Sequence, residues 1–155
     1  MSVVNQDIEL KILDNRIIEW SGVPKYQTDG AAAIDLYACI DKDILLHPGE
    51  TILISSGISV HINNPNIAAV ILPRSGLGNK GLVLGNLVGL IDSDYIGPIQ
   101  MSLWNRLPLN TLTIYSGTRI AQLVFVPIIK ASFKVVDEFS INTKRGSGGF
   151  GSTGV

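Results

Sequence analysis

The sequence predicts an all-β domain, built as a sandwich, jelly roll or distorted barrel, and three observations lead there. Short runs rich in Ile, Val and Leu recur along most of the chain, bounded by Pro or Gly, as strand signals require. Ile99, Met101 and Leu103 alternate with Gln100 and Ser102, the period of a strand with one buried face. Seven prolines, at 24, 48, 65, 73, 98, 108 and 127, leave little room for a long helix, since an interior proline costs roughly 3 kcal/mol.

Taken in order, strands are expected at 51–62, 67–72, 99–104, 112–115, 119–126 and 133–136. The best helical candidate is 77–86, weakened by two glycines. No internal repeat is present. At 155 residues the chain suits one domain with its own core. The one compositional break is the Gly/Ser-rich tail, so the expected division is a β domain over 1–142 and a tail over 143–155. Composition alone reads such a terminus as disordered. Arg145 at one end and Phe150 among the glycines suit a mobile flap instead, with an anion clamp and a stacking plate.

Charge narrows the function classes. The charged fraction is 16 %, against roughly 25 % in soluble domains. Part of the surface hidden against other copies would account for that, and so would a compact β-domain with a Ser/Thr/Asn surface. Lys and Arg total 12, Asp and Glu 13, with no block of one sign, which argues against a nucleic-acid partner. The longest apolar run, 123–129, is broken by Pro127 and is far shorter than the about 20 residues of a membrane span, so no membrane partner is expected. The start of the chain, with Asp7 and Glu9, resembles neither a signal peptide nor a transit segment. A single cysteine, Cys39, fits a reducing compartment, and the cytoplasm is the expected location. In its apolar run Cys39 reads as a small buried hydrophobe rather than a nucleophile.

Three stretches combine Gly, charge and hydroxyl where strands end. In Pro73-Arg74-Ser75-Gly76-Leu77-Gly78 the glycines allow the backbone to approach an anion, Arg74 offers a forked donor and Ser75 a hydroxyl. Taken alone, Ser-Gly is also ordinary turn chemistry. Between Gly85 and Gly97, Asp92 and Asp94 sit with Tyr95 in what outlines a hairpin with a polar tip. Paired loop carboxylates suit a general base or metal-bound water, although Asp-Ser-Asp is more often a solvated turn. The tail is the third stretch. Neither a Gly-x-x-x-x-Gly-Lys-Ser/Thr loop, nor a dinucleotide fingerprint, nor a Cys/His metal cluster is present. Residue chemistry therefore reaches a β-rich phosphate-ester hydrolase or nucleotide binder.

Five segments in order resemble the five motifs of the trimeric dUTPase family: Ala33 to Ala38 (Ala-Ile-Asp-Leu-Tyr-Ala), Pro73 to Gly78, Gly89 to Tyr95 (Gly-Leu-Ile-Asp-Ser-Asp-Tyr), Gly117 to Gln122 (Gly-Thr-Arg-Ile-Ala-Gln) and Arg145 to Gly154. The resemblance implies a jelly-roll β-barrel assembled as a threefold homotrimer with shared active sites. It implies hydrolysis of dUTP to dUMP and pyrophosphate with Mg2+. Asp92 would be the base that deprotonates the attacking water, and Asp35 would contact a metal-bound water. Arg74, Ser75, Gly76 and Gln122 would hold phosphate oxygens. Arg145, Gly151, Ser152 and Thr153 would close over the β- and γ-phosphates, with Phe150 stacked on the uracil. Asn86 and the backbone of Gly89 and Gln100 would read the base edge, and Tyr95 would pack under the deoxyribose.

Two departures from the family pattern stand out: Ala33 replaces the usual Gly, and the segment between Gly78 and Gly85 is one residue short. His47 and His61 are expected at the surface, Trp104 in the core or a trimer contact, Trp20 in surface or interface packing, and Asp94 in a structural role. A dCTP deaminase, which shares the family fold, would need a Glu in its base pocket, and no Glu occurs between Glu50 and Glu138. A non-catalytic nucleotide sensor is the alternative from another class.

Overall fold

The computed structural model describes residues 6–149. Its elements in chain order are β1 (Glu9–Ile12), α1 (Arg16–Ser21), β2 (Ile34–Tyr37), β3 (Ile44–Leu46), β4 (Thr51–His61), β5 (Ile67–Pro73), α2 (Ser75–Asn79), β6 (Leu82–Leu84), β7 (Gly89–Ile91), β8 (Pro98–Asn105), β9 (Leu112–Ile114) and β10 (Arg119–Pro127). They form one sheet of order β1-β4-β8-β6, a second of order β2-β10-β5-β7, and the pair β3-β9. Every pairing is antiparallel. This is the all-β jelly-roll architecture that the strand pattern predicts.

The two large sheets share one core. Ile54, Ile58, Ile99, Met101 and Leu103 enter it from the first sheet, and Ile34, Leu36, Ala69, Ile71 and Leu123 from the second. On β8 the buried positions are Ile99, Met101, Leu103 and Asn105, with Gln100 outside, as the alternation requires. Asn105 is fully buried yet satisfied: its Nδ2 donates to the carbonyls of Leu46 and Asn110, and its Oδ1 accepts from the Leu107 N–H.

β4 carries the main irregularity. Its register against β8 shifts between Ser55 and Ser59, and Gly57 there has φ +72°. A Cβ at Gly57 would lie 2.8 Å from Ile17 Cγ1 and 2.9 Å from Cys39 Sγ, so both space and backbone exclude a larger residue.

Several expectations are corrected. The helix occupies Ser75–Asn79 rather than 77–86, because the chain passes through Gly81 at φ +99° and then pairs Leu82–Leu84 with β8 as β6. Residues 133–136 form no strand: β10 ends the second sheet's pairing at Pro127, and Phe133 and Val135 are 90 % and 95 % exposed, paired with no strand among the described residues. The stretch between Asn86 and Gln100 is not a ladder hairpin, since β7 pairs with β5 in one sheet and β8 with β4 and β6 in the other. It is an arch between sheets. Six short elements, β1, α1, β2, β3, β6 and β7, are absent from the strand and helix expectations.

Both histidines lie at the surface, as expected. His47 is exposed, with Nδ1 3.2 Å from Thr111 Oγ1, and His61 pairs with Glu9 at the surface. Trp20 stacks on Tyr37 at 6.5 Å and lies beneath Gly117, while Trp104 is half-buried on β8. Ala33 does not have positive φ, so its Cβ fits where the family pattern has Gly. Cys39 is half-buried rather than enclosed. Among the described residues no helix is long and apolar enough to cross a membrane.

Candidate active site

Three strands of the second sheet bring sequence-distant residues together. Asp35 on β2 and Gln122 on β10 are Cα partners, and Ala121 pairs with Pro73, the last residue of β5. Side chains directly opposite in an antiparallel ladder share a face. Asp35, Arg74, Ser75, Gly76, Leu77, Lys80 and Gln122 therefore line one cleft of about 340 Å³. Gln122 Nε2 donates to the Pro73 carbonyl at 2.9 Å, fixing the side chain to the strand end that leads into Arg74.

Arg74 is extended, with φ −81° and ψ 135°, and α2 starts at the next residue. The first N–H groups of a helix have no intrahelical acceptor, so the 75–77 backbone presents donors beside the Arg74 guanidinium. A Cβ built at Gly76 meets nothing within 4 Å. Among the described residues no neighbour fills the space over it.

Charge is concentrated on Asp35. Arg74 Nε lies 2.9 Å from its Oδ1, and Arg119 Nη1 3.2 Å from its Oδ2. Two cations and one carboxylate line the cleft itself, so it suits an anion. Lys80 and Arg119 were missed by the sequence reading. Lys80 lies in the short loop after Gly78, and Arg119 inside the fourth motif, where only Gln122 was singled out. Among the described residues no cluster of three or more His, Cys, Asp or Glu could hold a metal ion. Asp35 is the cleft's one carboxylate, and it is committed to two guanidinium groups.

The remaining predicted residues lie elsewhere in the chain. Asp92 and Tyr95 sit in the exposed turn of the β7–β8 arch, outside the lining of the cleft. The arch is braced from β4: Ser56 Oγ donates to the Ile99 carbonyl at 2.8 Å, and Ser59 Oγ lies 2.6 and 2.9 Å from the carbonyls of Ile96 and Gly97. The Ser93 carbonyl accepts from the Asn63 N–H. Tyr95 donates its hydroxyl to the Pro98 carbonyl and lays its ring against Gly97.

Asn86 and Gln100 are exposed. Gly89 is opposite Ile71, whose Cβ would be 3.0 Å from an added Cβ, so the ladder itself accounts for that glycine. Leu87, next to Asn86, has φ +63°, an unusual state for a bulky residue. Among the described residues Arg145 bonds to its own turn, through Nε to the Gly148 carbonyl. Phe150, Gly151, Ser152 and Thr153 lie outside the described residues.

Fold and cleft together define an all-β protein with an anion-binding site at the converging ends of three strands. A family model described as dUTPase matches residues 20–154. The deoxyuridine 5'-triphosphate nucleotidohydrolase of Haemophilus ducreyi is 60 % identical over 148 residues, covering 95 % of this chain and 96 % of that one. The protein of the same name from Tolumonas auensis is 57 % identical over 150 residues, covering 96 % and 98 %. Among solved structures, a mutant dUTPase of Staphylococcus bacteriophage 80alpha with dUpNHpp superposes with a TM-score of 0.83 at 26 % identity, covering 97 % of this chain and all of that one. The chain belongs to the dUTPase family.

Proposed function

We propose that this protein hydrolyses dUTP to dUMP and pyrophosphate, limiting uracil incorporation into DNA and supplying dUMP for dTMP synthesis. One observation carries the reading: the cleft of Asp35, Arg74, Ser75, Gly76 and Gln122 has the donors and positive charge to hold a polyphosphate, in a chain about 60 % identical to a relative named for this reaction.

Arg74, Ser75, Gly76 and Gln122 hold the phosphate chain in this account. Asp92 accepts a proton from a water as its oxygen attacks the α-phosphorus in line; the α–β bridging bond breaks and pyrophosphate leaves with the electron pair. Asn86 and the backbone of Gly89 and Gln100 pair with the uracil edge, and a cytosine there leaves buried groups unpaired, at roughly 1–3 kcal/mol each. Tyr95, its hydroxyl already committed, offers a fixed ring to the deoxyribose. Residues 143–155 act as a flap, with Arg145, Gly151, Ser152 and Thr153 on the outer phosphates and Phe150 on the base.

A cleft with one carboxylate fits Mg2+ held mainly by phosphate oxygens and water. Asp35, already paired with two arginines, would reach the ion only through water. When bound, the ion would supply positive charge to offset that on the departing pyrophosphate.

The working unit in this reading is a homotrimer whose sites are shared. Two features support it. Asp92 and Tyr95 lie outside the cleft that holds Asp35 and Arg74 in the same chain. Beyond β10 the chain exposes Ile129, Phe133, Val135, Phe139 and Ile141, an apolar segment suited to cover by another copy. Cys39, the lone cysteine, supports a reducing compartment such as the cytoplasm.

Purified protein with Mg2+ should release pyrophosphate from dUTP and act poorly on dCTP, dTTP and UTP, and light scattering should give the mass of three chains. Ammonia released from dCTP would instead identify a deaminase, and dUTP binding without turnover a sensor.

A further inference from the structure

Arg119 carries the strongest feature that the proposed roles leave unused. On a regular strand Arg119 and Gln122, three residues apart, would point to opposite faces. The β10 register against β2 shifts between Arg119 and Ala121, and Ile120 and Ala121 are both buried, at 3 % and 0 % exposure. Two consecutive inward side chains are the signature of a bulge, a device that re-aims a side chain. Its result is that Arg119 emerges on the side of the sheet where Gln122 faces Asp35.

The geometry divides one carboxylate between two guanidinium groups. Arg119 Nη1 takes Oδ2 at 3.2 Å and Arg74 Nε takes Oδ1 at 2.9 Å. Arg74 Nη1 also donates to the Arg119 carbonyl at 3.3 Å, tying the two arginines together. Only Arg74 lines the cleft. One cation is enough to balance Asp35, so the second is available to an anion.

We propose that Arg119 is a positioning residue that holds Asp35 compensated while Arg74 exchanges the carboxylate for a phosphate oxygen of the bound nucleotide. This rests on the dUTPase reading for its substrate, but its physical content concerns any polyphosphate in the cleft. Without Arg119, Arg74 is the sole counterion of Asp35 and is held back from the phosphate. If Arg74 does turn to the phosphate, the carboxylate is left unscreened beside the polyanion.

The test is a double-mutant cycle on the full-length protein. R119A should raise KM for dUTP about tenfold with kcat changed less than about threefold, the pattern of lost ground-state binding. R119K, which keeps the charge but not the fork, should fall between R119A and the parent. In a D35N background R119A should add nothing, because its effect runs through that carboxylate.

Inorganic tripolyphosphate, titrated calorimetrically without turnover, should lose affinity in the same order. An unchanged KM in R119A, an equal loss in kcat, or independent multiplication of R119A and D35N would overturn the proposal. Should R119A fail to fold, R119K decides alone: weaker tripolyphosphate binding supports the role, and unchanged binding overturns it. A parent protein inactive on dUTP would refute the substrate reading, while the tripolyphosphate series would still judge Arg119.

Discussion

Asp35 and Gln122 face each other as Cα partners across the β2–β10 ladder, and Gln122 reaches on to the Pro73 carbonyl of β5. The cleft proposed to hold the phosphates is therefore fixed by sheet register. A one-residue slip of β10 would turn Gln122 into the core and Leu123 out of it. Buried Ala121 and Leu123, on either side of Gln122, oppose that slip. Core packing and site assembly are specified by the same residues.

Replacing Asp92 by Asn tests the other half. Asp92 is exposed in the β7–β8 arch, so loss of its charge should leave fold and assembly intact. Under the proposed role, nucleotide affinity should stay within a few fold while kcat drops by about 10²–10⁴, the usual worth of a general base. Titration calorimetry with a non-hydrolysable analogue and steady-state kinetics separate the two effects. Near-normal turnover would remove Asp92 from the chemistry.

Ser59→Ala removes the brace under the same arch. The hydroxyl is buried and sits against the carbonyls of Ile96 and Gly97. Its loss should cost about 1–3 kcal/mol, because the carbonyl acceptors stay behind without it. Urea unfolding reads that cost directly. If the brace also orients Tyr95, KM for dUTP should rise at temperatures where the variant is fully folded.

Legibility in the sequence followed the range of the interactions involved. The long strands β4, β5, β8 and β10 were readable because each carries its own alternation or apolar run. The three-residue strands β3, β6 and β7 were not, since their pairing is decided by partners far along the chain. Arg74, Ser75, Gly76 and Gln122, expected at phosphate oxygens, do line one cleft together. The pairing of Asp35 with both Arg74 and Arg119 was not visible, because it depends on a bulge that no local signal marks. The positive φ of Leu87 was equally silent: nothing in Asn-Leu-Val demands it, and it falls in the short connection between β6 and β7. Phe133 to Val136 shows the converse. Its strand-like composition is real, but among the described residues no strand pairs with it.

The Asp14–Arg16 pair should make stability acid-sensitive. Arg16 Nη2 and Nε lie 2.6 and 3.0 Å from the two Asp14 oxygens, and Arg16 also bonds the Ile40 carbonyl and covers Trp20. The Arg16 side-chain hydrogen bonds hold the Asp14 carboxyl well below the usual carboxylate range. A depressed folded-state value contributes stability above the unfolded value, roughly pH 3.9, and that contribution is lost as pH falls. Asp14→Asn should therefore lower the urea midpoint at pH 7, and the gap from the parent should shrink progressively below about pH 5. A gap independent of pH would mean that packing, not charge, explains the variant.

Cys39 should be a slow thiol in the native state. Burial, and then a hydrogen bond to the Asp14 carboxylate, pushes its pKa up to about 11, against the opposing pull of Arg16 with Nη2 3.9 Å from Sγ. An ordinary thiol titrates near pH ~8.5. At pH 8 the native thiolate fraction should thus be roughly 200-fold below that of the unfolded chain. Alkylation by iodoacetamide, followed by intact mass, should be correspondingly slower in buffer than in urea, and the native rate should keep rising well past pH 9. The sign for stability is the reverse of the Asp14 case. A raised folded-state value favours folding below the unfolded pKa, and above it the unfolded chain gains from ionisation, so Cys39→Ala should flatten the loss of stability between about pH 9 and 11. Equal alkylation rates in buffer and urea at pH 8 would show that the thiol is open to solvent and free of Asp14.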